Sequence, residues 1–123
     1  MTPGYSQTLL DHFKRPRNFG SLDAPDAEHE DLNPLCGDRI RMEVRLREGR
    51  VEAVRFRGDA CAIAVASASV LTELVTGRAA ADAVALDAGA VIAALGAEIQ
   101  PSRLQCVRLP VDVLKEALRH ADA

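Results

Sequence analysis

Arg39-Ile40-Arg41-Met42-Glu43-Val44-Arg45-Leu46-Arg47 alternates without a break between charged and apolar side chains. Successive side chains of a strand point to opposite faces, so this pattern predicts a strand with one dry and one wet side. Glu48-Gly49 supplies a turn, and Val51 to Arg57 repeats the alternation with Val54 and Phe56 on one face. The two runs are expected to pair as an antiparallel hairpin in a half-exposed sheet. Beyond Gly58, the segment Cys61 to Val75 is dense in Ala, carries Ile63, Val65, Val70, Leu71 and Leu74, and ends at Thr76-Gly77. That is the composition and stop signal of a central helix.

Outward from this centre the signals are shorter. On the N-terminal side, Tyr5 to Phe13 places Leu9, Leu10 and Phe13 at helical spacing before the basic, proline-containing Lys14 to Arg17 breaks the run. Gly20 to Asn33 is acidic, holds Asp, Ala and Pro without periodicity, and reads as a loop or extended arm over the surface. On the C-terminal side, short helices are expected at Ala80 to Ala85 and, after the cap Asp87, at Ala88 to Leu95. Pro110 suits a first helical turn, so the last helix is expected to start near it and to run to about His120, with Cys106 just before its start.

The chain has 123 residues, enough for one domain, since independent cores need roughly 100 residues each. With 48% apolar and 27% charged residues it has the balance of a soluble globular domain. The formal net charge is -3 and the arginines are spread along the chain, which argues against nucleic-acid binding. The N-terminus lacks the basic start and apolar run of a signal peptide, and no apolar segment approaches the roughly 20 residues needed to span a bilayer. A cytoplasmic location with no membrane association is expected.

Three cysteines are an odd number, and a reducing compartment disfavours structural disulfides. Metal binding, redox chemistry and plain burial are the readings left. Cys36 lies in the turn Asn33-Pro34-Leu35-Cys36-Gly37-Asp38, where Gly37 permits a tight bend and Asp38 sets a carboxylate two residues from a thiol. Cys61 stands at the start of the central helix, where free N–H groups and the helix dipole favour a thiolate. Cys106 is placed by the same logic at the next helix start, with Arg103 three residues before it. Free cysteine is often a buried small hydrophobe. Each of these, however, is flanked by a glycine, a helix start or a charge, and none falls within the apolar repeat of an element as read here. No CxxC pair is present, so spacing supports neither a zinc ribbon nor a thioredoxin motif. His12, His29 and His120 are not adjacent to any cysteine and read as surface or packing residues, which argues against a cysteine hydrolase. Ser67, Ser69 and Thr72 fit close helix packing.

The ordered set Tyr5-Ser6-Gln7 through Asp11-His12-Phe13, Pro16-Arg17-Asn18-Phe19-Gly20, Asn33 to Asp38, Phe56-Arg57-Gly58-Asp59-Ala60-Cys61 with Ala66-Ser67-Ala68-Ser69, and Arg103-Leu104-Gln105-Cys106 resembles the U-type iron-sulfur cluster assembly scaffolds, the family of IscU, SufU and the NifU N-terminal domain. The resemblance spans nearly the whole chain. It implies a single α+β domain over residues 1–123, with a small antiparallel sheet of about three strands and helices on one face. It also implies that Cys36, Asp38, Cys61 and Cys106 bind a transient [2Fe-2S] cluster or Zn2+, with Gly37 and Arg103 in support and Cys106 as sulfur acceptor. A cysteine desulfurase and acceptor apoproteins are the implied partners, and the chain is expected to be a monomer or weak homo-oligomer. Three departures bear on mechanism. Gln105 stands where IscU-type members carry a histidine, the insertion usual in SufU between the second and third cysteines is missing, and Ile99 to Arg103 does not match the Leu-Pro-Pro-Val-Lys chaperone motif. A scaffold, a zinc-dependent sulfur-transfer protein and a structural zinc module are the readings that follow.

Overall fold

The computed structural model describes residues 6–35 and 37–121, so expectations that rest on Tyr5 or Cys36 lie outside the described residues. The elements run α1 (Gln7–Lys14), β1 (Ala27–Asn33), β2 (Asp38–Arg47), β3 (Arg50–Asp59), α2 (Ala62–Val75), α3 (Ala80–Val84), α4 (Ala88–Leu95), a 3-10 turn (Pro101–Arg103) and α5 (Leu104–Ala121). The strands form one antiparallel sheet in the order β1-β2-β3. Met42 stands opposite Phe56 and Val44 opposite Val54, as the alternation requires. The register shifts between Arg45 and Leu46.

Ile40, Met42, Val44, Val51, Val54 and Phe56 are buried on the dry face together with Leu71 and Val75 of α2 and Leu114 and Leu118 of α5. Helix α5 lies against β1 and β2, α2 against β3, and α1 against α2. The other face is crossed by the chain between α1 and β1. Asn18 and Gly20 bond to the backbone of Phe56 at the β3 edge, and Asp26 N–H reaches the Val44 carbonyl at 2.8 Å. On the way, Leu22 N–H donates to Glu43 Oε1 at 2.8 Å and Arg57 bonds Ser21. Glu43 is thereby buried on the nominally wet face. Burial alone would raise its pKa, but the Leu22 N–H and the Arg41 and Arg57 guanidiniums outweigh this and hold it below the usual carboxylate value.

Two expectations are corrected. Ala27–Asn33, read as part of a loop or arm, is a strand; in Ala-Glu-His-Glu-Asp-Leu-Asn only Ala27 is buried, so this edge strand carries no apolar alternation and is held by pairing with β2 and packing against α5. The last helix begins at Leu104, not near Pro110, and takes both Cys106 and Pro110 inside it. Val107, Leu109, Val111, Leu114 and Leu118 are buried on the core side, and this packing carries the helix through the proline. Pro110 has no N–H to give the carbonyl four residues back, that of Cys106, so the backbone bond which would tie down Cys106 is missing.

Gly58 faces Ile40 across the β2–β3 ladder, and a Cβ there would stand 2.0 Å from the Arg39 carbonyl oxygen. Neither backbone atom can yield without opening the ladder beside Asp38 and Cys61. Gly58→Ala is expected to cost about 1–3 kcal/mol, the usual cost of overpacking. Urea denaturation reads this, and an unchanged midpoint would contradict the close approach.

His12 of α1 is buried, with Nδ1 2.7 Å from Ser69 Oγ and Nε2 3.5 Å from Glu73. Ser69 Oγ already accepts the Arg17 N–H at 2.8 Å, which leaves its hydroxyl proton for Nδ1 of a neutral imidazole. Burial first, and the Arg17 charge second, hold the His12 pKa below its ordinary 6.5 against the opposing pull of Glu73 and Asp11. The unfolded chain therefore binds this proton more readily, and His12 contributes stability above about pH 6.5 that is lost as pH falls through the lower folded value. Thermal unfolding between pH 7.5 and 5.5 is expected to show a steeper acid loss in the wild type than in His12→Gln, by at most about 1.4 kcal/mol per pH unit.

Candidate metal centre

Asp38 opens β2, Cys61 caps α2 and Cys106 lies in the opening turn of α5, so three separate elements each deliver one donor. The carboxylate and the two sulfurs stand within 4.8 Å of one another, the one such group of three among the described residues. Asp38 is only 4% exposed. Its Oδ1 accepts the Cys61 N–H at 2.9 Å, which couples the start of the strand to the start of the helix. Its Oδ2 is buried with no hydrogen-bond partner among the described residues. Cys61 is half-buried, and its Sγ accepts the Ala64 N–H at 3.5 Å as a helix cap.

Cys106 is fully buried. Burial first, then the hydrogen bond and charge of Cys61 and the charge of Asp38, push its thiol up to about 12 against the opposing hydrogen bond from Arg103. The expectation of an activated Cys106 is thus corrected for the metal-free protein. Arg103 does act in the predicted direction, but desolvation, Cys61 and the Asp38 carboxylate outweigh it. A cation placed among these donors reverses the balance, since it compensates the carboxylate and displaces the thiol protons.

Gly37 has φ 74°, a left-handed conformation that glycine adopts without strain, and its N–H bonds the Asn33 carbonyl at 2.7 Å. This turn brings the chain from β1 into β2 at Asp38. Cys36, the remaining predicted ligand, lies outside the described residues. Ser69 and Thr72 have the packing role expected of them, Ser69 on His12 and Thr72 on Asn18. The feature that the sequence did not reveal is the Asp38–Cys61 N–H bond, because nothing in local spacing links a strand start to a helix cap 23 residues away.

Two thiols and a buried carboxylate, gathered by three elements of a small α+β domain, form a candidate metal site. The family profile of the NifU-like N terminal domain matches residues 4–122, and the chain belongs to that family. It is similar to the iron-sulfur cluster assembly scaffold protein IscU 1 of Archaeoglobus fulgidus, at 32% identity over 114 residues, 93% of this chain and 74% of that one. It is also similar to the zinc-dependent sulfurtransferase SufU of Bacillus subtilis, at 33% identity over 132 residues, 93% of this chain and 88% of the relative. That aligned stretch is longer than the 123 residues here, so the relative carries residues this chain lacks. Among solved structures, the SufU of Fervidobacterium islandicum superposes with a TM-score of 0.82 at 25% identity, covering 93% of this chain and 96% of that chain. Among the described residues no helix is long and apolar enough to cross a membrane.

Proposed function

We propose that this chain is a scaffold on which a nascent [2Fe-2S] cluster, its cargo, is assembled from iron and desulfurase-derived sulfur and then passed to acceptor apoproteins. Cys36, Asp38, Cys61 and Cys106 are the ligands in this reading, with residues 1–123 as one domain working in the cytoplasm, as a monomer or weak homo-oligomer. The observation that carries it is the buried, unpartnered Oδ2 of Asp38 within 4.8 Å of two sulfurs. A buried carboxylate oxygen left without a hydrogen bond costs about 1–3 kcal/mol, and a cation held beside it by thiolates relieves that cost.

Sulfur delivery is a displacement. A thiolate of this chain attacks the outer sulfur of the desulfurase persulfide, the enzyme thiolate leaves, and the chain holds the persulfide. Conversion to sulfide takes an electron pair from an external reductant. Cys106 is the acceptor in this reading, and its burial means that the first turns of α5 must open for the transfer. The missing backbone bond to Cys106 opposite Pro110 lowers the cost of that opening. Anaerobic incubation with iron, cysteine and a desulfurase tests the scaffold. Visible cluster absorption with acid-labile sulfide is expected, and none with intact thiols would overturn the reading.

Gln105 favours a second reading, zinc-dependent sulfur transfer, because an amide is a poor ligand beside an imidazole and leaves the three cysteines and Asp38 as a complete tetrahedral set. Bound Zn2+ would supply the charge that keeps the thiols deprotonated at neutral pH. One zinc per chain in protein purified without oxygen, together with desulfurase stimulation, supports transfer, whereas iron with labile sulfide supports the scaffold. In either case most of the hydrophobic core is apolar side chains of the sheet, α2 and α5 packed on one another. Chelation is expected to leave the far-ultraviolet circular dichroism unchanged, and unfolding on chelation would point instead to a structural zinc module.

A further inference from the structure

Cys61 and Cys106 are the two thiols among the described residues, and their sulfurs stand no more than 4.8 Å apart where α2 and α5 begin. A disulfide needs about 2.05 Å between sulfurs, a gap that side-chain rotation and a small shift in the opening turn of α5 can close. The two thiols differ in access, Cys106 being 0% exposed and Cys61 half-buried. A sulfur atom carried on Cys106 is therefore out of reach of a bulky external reductant once α5 has closed over it. The thiol that can reach it is the one already beside it. Cys61 is held in place by its own element: Sγ accepts the Ala64 N–H at 3.5 Å, and its backbone N–H donates to Asp38 Oδ1 at 2.9 Å. A nucleophile fixed next to its target has an effective concentration far above that of any free thiol.

We propose that Cys61 is the resolving thiol for a persulfide on Cys106, attacking its inner sulfur and releasing the outer one as sulfide. This rests on the sulfur-acceptor role given to Cys106 above. The S–S bond of the persulfide breaks as the Cys61–Cys106 bond forms. The two cysteine sulfurs together give up an electron pair, the outer sulfur takes it, and the Cys61 proton leaves with it as hydrogen sulfide. The external reductant then acts on the disulfide and not on the persulfide. A dithiol attacks the half-buried Cys61 sulfur, is itself oxidised to a disulfide, and returns both thiols as ligands.

Metal-free protein is mixed, without oxygen, with a cysteine desulfurase that has been loaded with persulfide and freed of cysteine and small thiols. The wild type is expected to release about one sulfide per disulfide formed, and peptide mass spectrometry to place that disulfide between Cys61 and Cys106. Cys61→Ser keeps a good helix cap, so the fold is expected to survive it. This variant should retain the sulfur as a persulfide on Cys106 and release sulfide at least about 100-fold more slowly. A stable persulfide on the wild-type chain, a disulfide that includes Cys36, or wild-type sulfide release from Cys61→Ser would overturn the proposal and leave the scaffold reading standing. A chain that takes no sulfur from the desulfurase overturns the acceptor reading as well.

Discussion

Asp38→Ala protein is expected to keep a reconstituted cluster longer than the wild type and to pass it to an acceptor about 10- to 100-fold more slowly, the span that changes around metal ligands produce. Assembly should change less. A carboxylate is a harder and weaker ligand for a cluster iron than a thiolate. In this chain it also has a second hydrogen-bonded position to retreat to, because Oδ1 accepts the Cys61 N–H at 2.9 Å. Asp38 can therefore open a coordination position by shifting from metal to backbone amide, and alanine removes that step. It also removes one anionic ligand from a crowded anionic set. The amide bond has a structural value of about 1 kcal/mol, typical of a helix cap. Asp38→Asn, which keeps an acceptor oxygen but not the charge, separates the two roles: slow transfer with normal stability is the expected result. A variant that sheds its cluster faster than the wild type would overturn the role given to Asp38.

The second large effect concerns the thiols of the metal-free protein. With its pKa pushed from 9.0 up to about 12, Cys106 should hold about 1,000-fold less thiolate at neutral pH than an ordinary cysteine, and burial withholds even that from reagents. Alkylation followed by peptide mass spectrometry is expected to label half-buried Cys61 first and Cys106 only after denaturant is added. In the absence of denaturant Cys106 is expected to stay unlabelled from pH 7 to 10, because below its raised pKa it is a neutral thiol. Rapid native labelling of Cys106 would mean that the opening turn of α5 stands open in solution. In that case Cys106 is a ready sulfur acceptor without any rearrangement.

Much of the architecture is legible along the chain because it rests on local periodicity. The alternation from Arg39 to Arg47, the turn at Glu48-Gly49 and the Asp87 cap of α4 all appear at the places read for them. Where the reading fails, a long-range contact overrides a local signal. Strand β1 has the composition of a polar loop and exists because β2 offers it an unpaired edge and α5 covers it. Pro110 is a local reason to start a helix, and the buried apolar side chains on either side of it are the stronger reason to continue one.

The candidate site divides in the same way. Residue type and neighbours mark Asp38, Cys61 and Cys106 as an unusual set, because a thiol beside a glycine turn, a helix start or an arginine is readable from a few adjacent positions. Ionisation is not readable in that way. Whether Cys106 is activated or suppressed depends on how much water reaches it and on Cys61 and Asp38, 45 and 68 positions earlier in the chain. Desolvation and through-space charge are properties of the packed molecule, and so is the meeting of Cys61 with Cys106. Chain order, composition and hydrophobic period are enough to specify the sheet, the central helix and the donor types, because each is set by side chains within a few residues of one another. The distances among donors, the unpartnered carboxylate oxygen and the protonation of the thiols come from packing, because they depend on groups that only folding brings together.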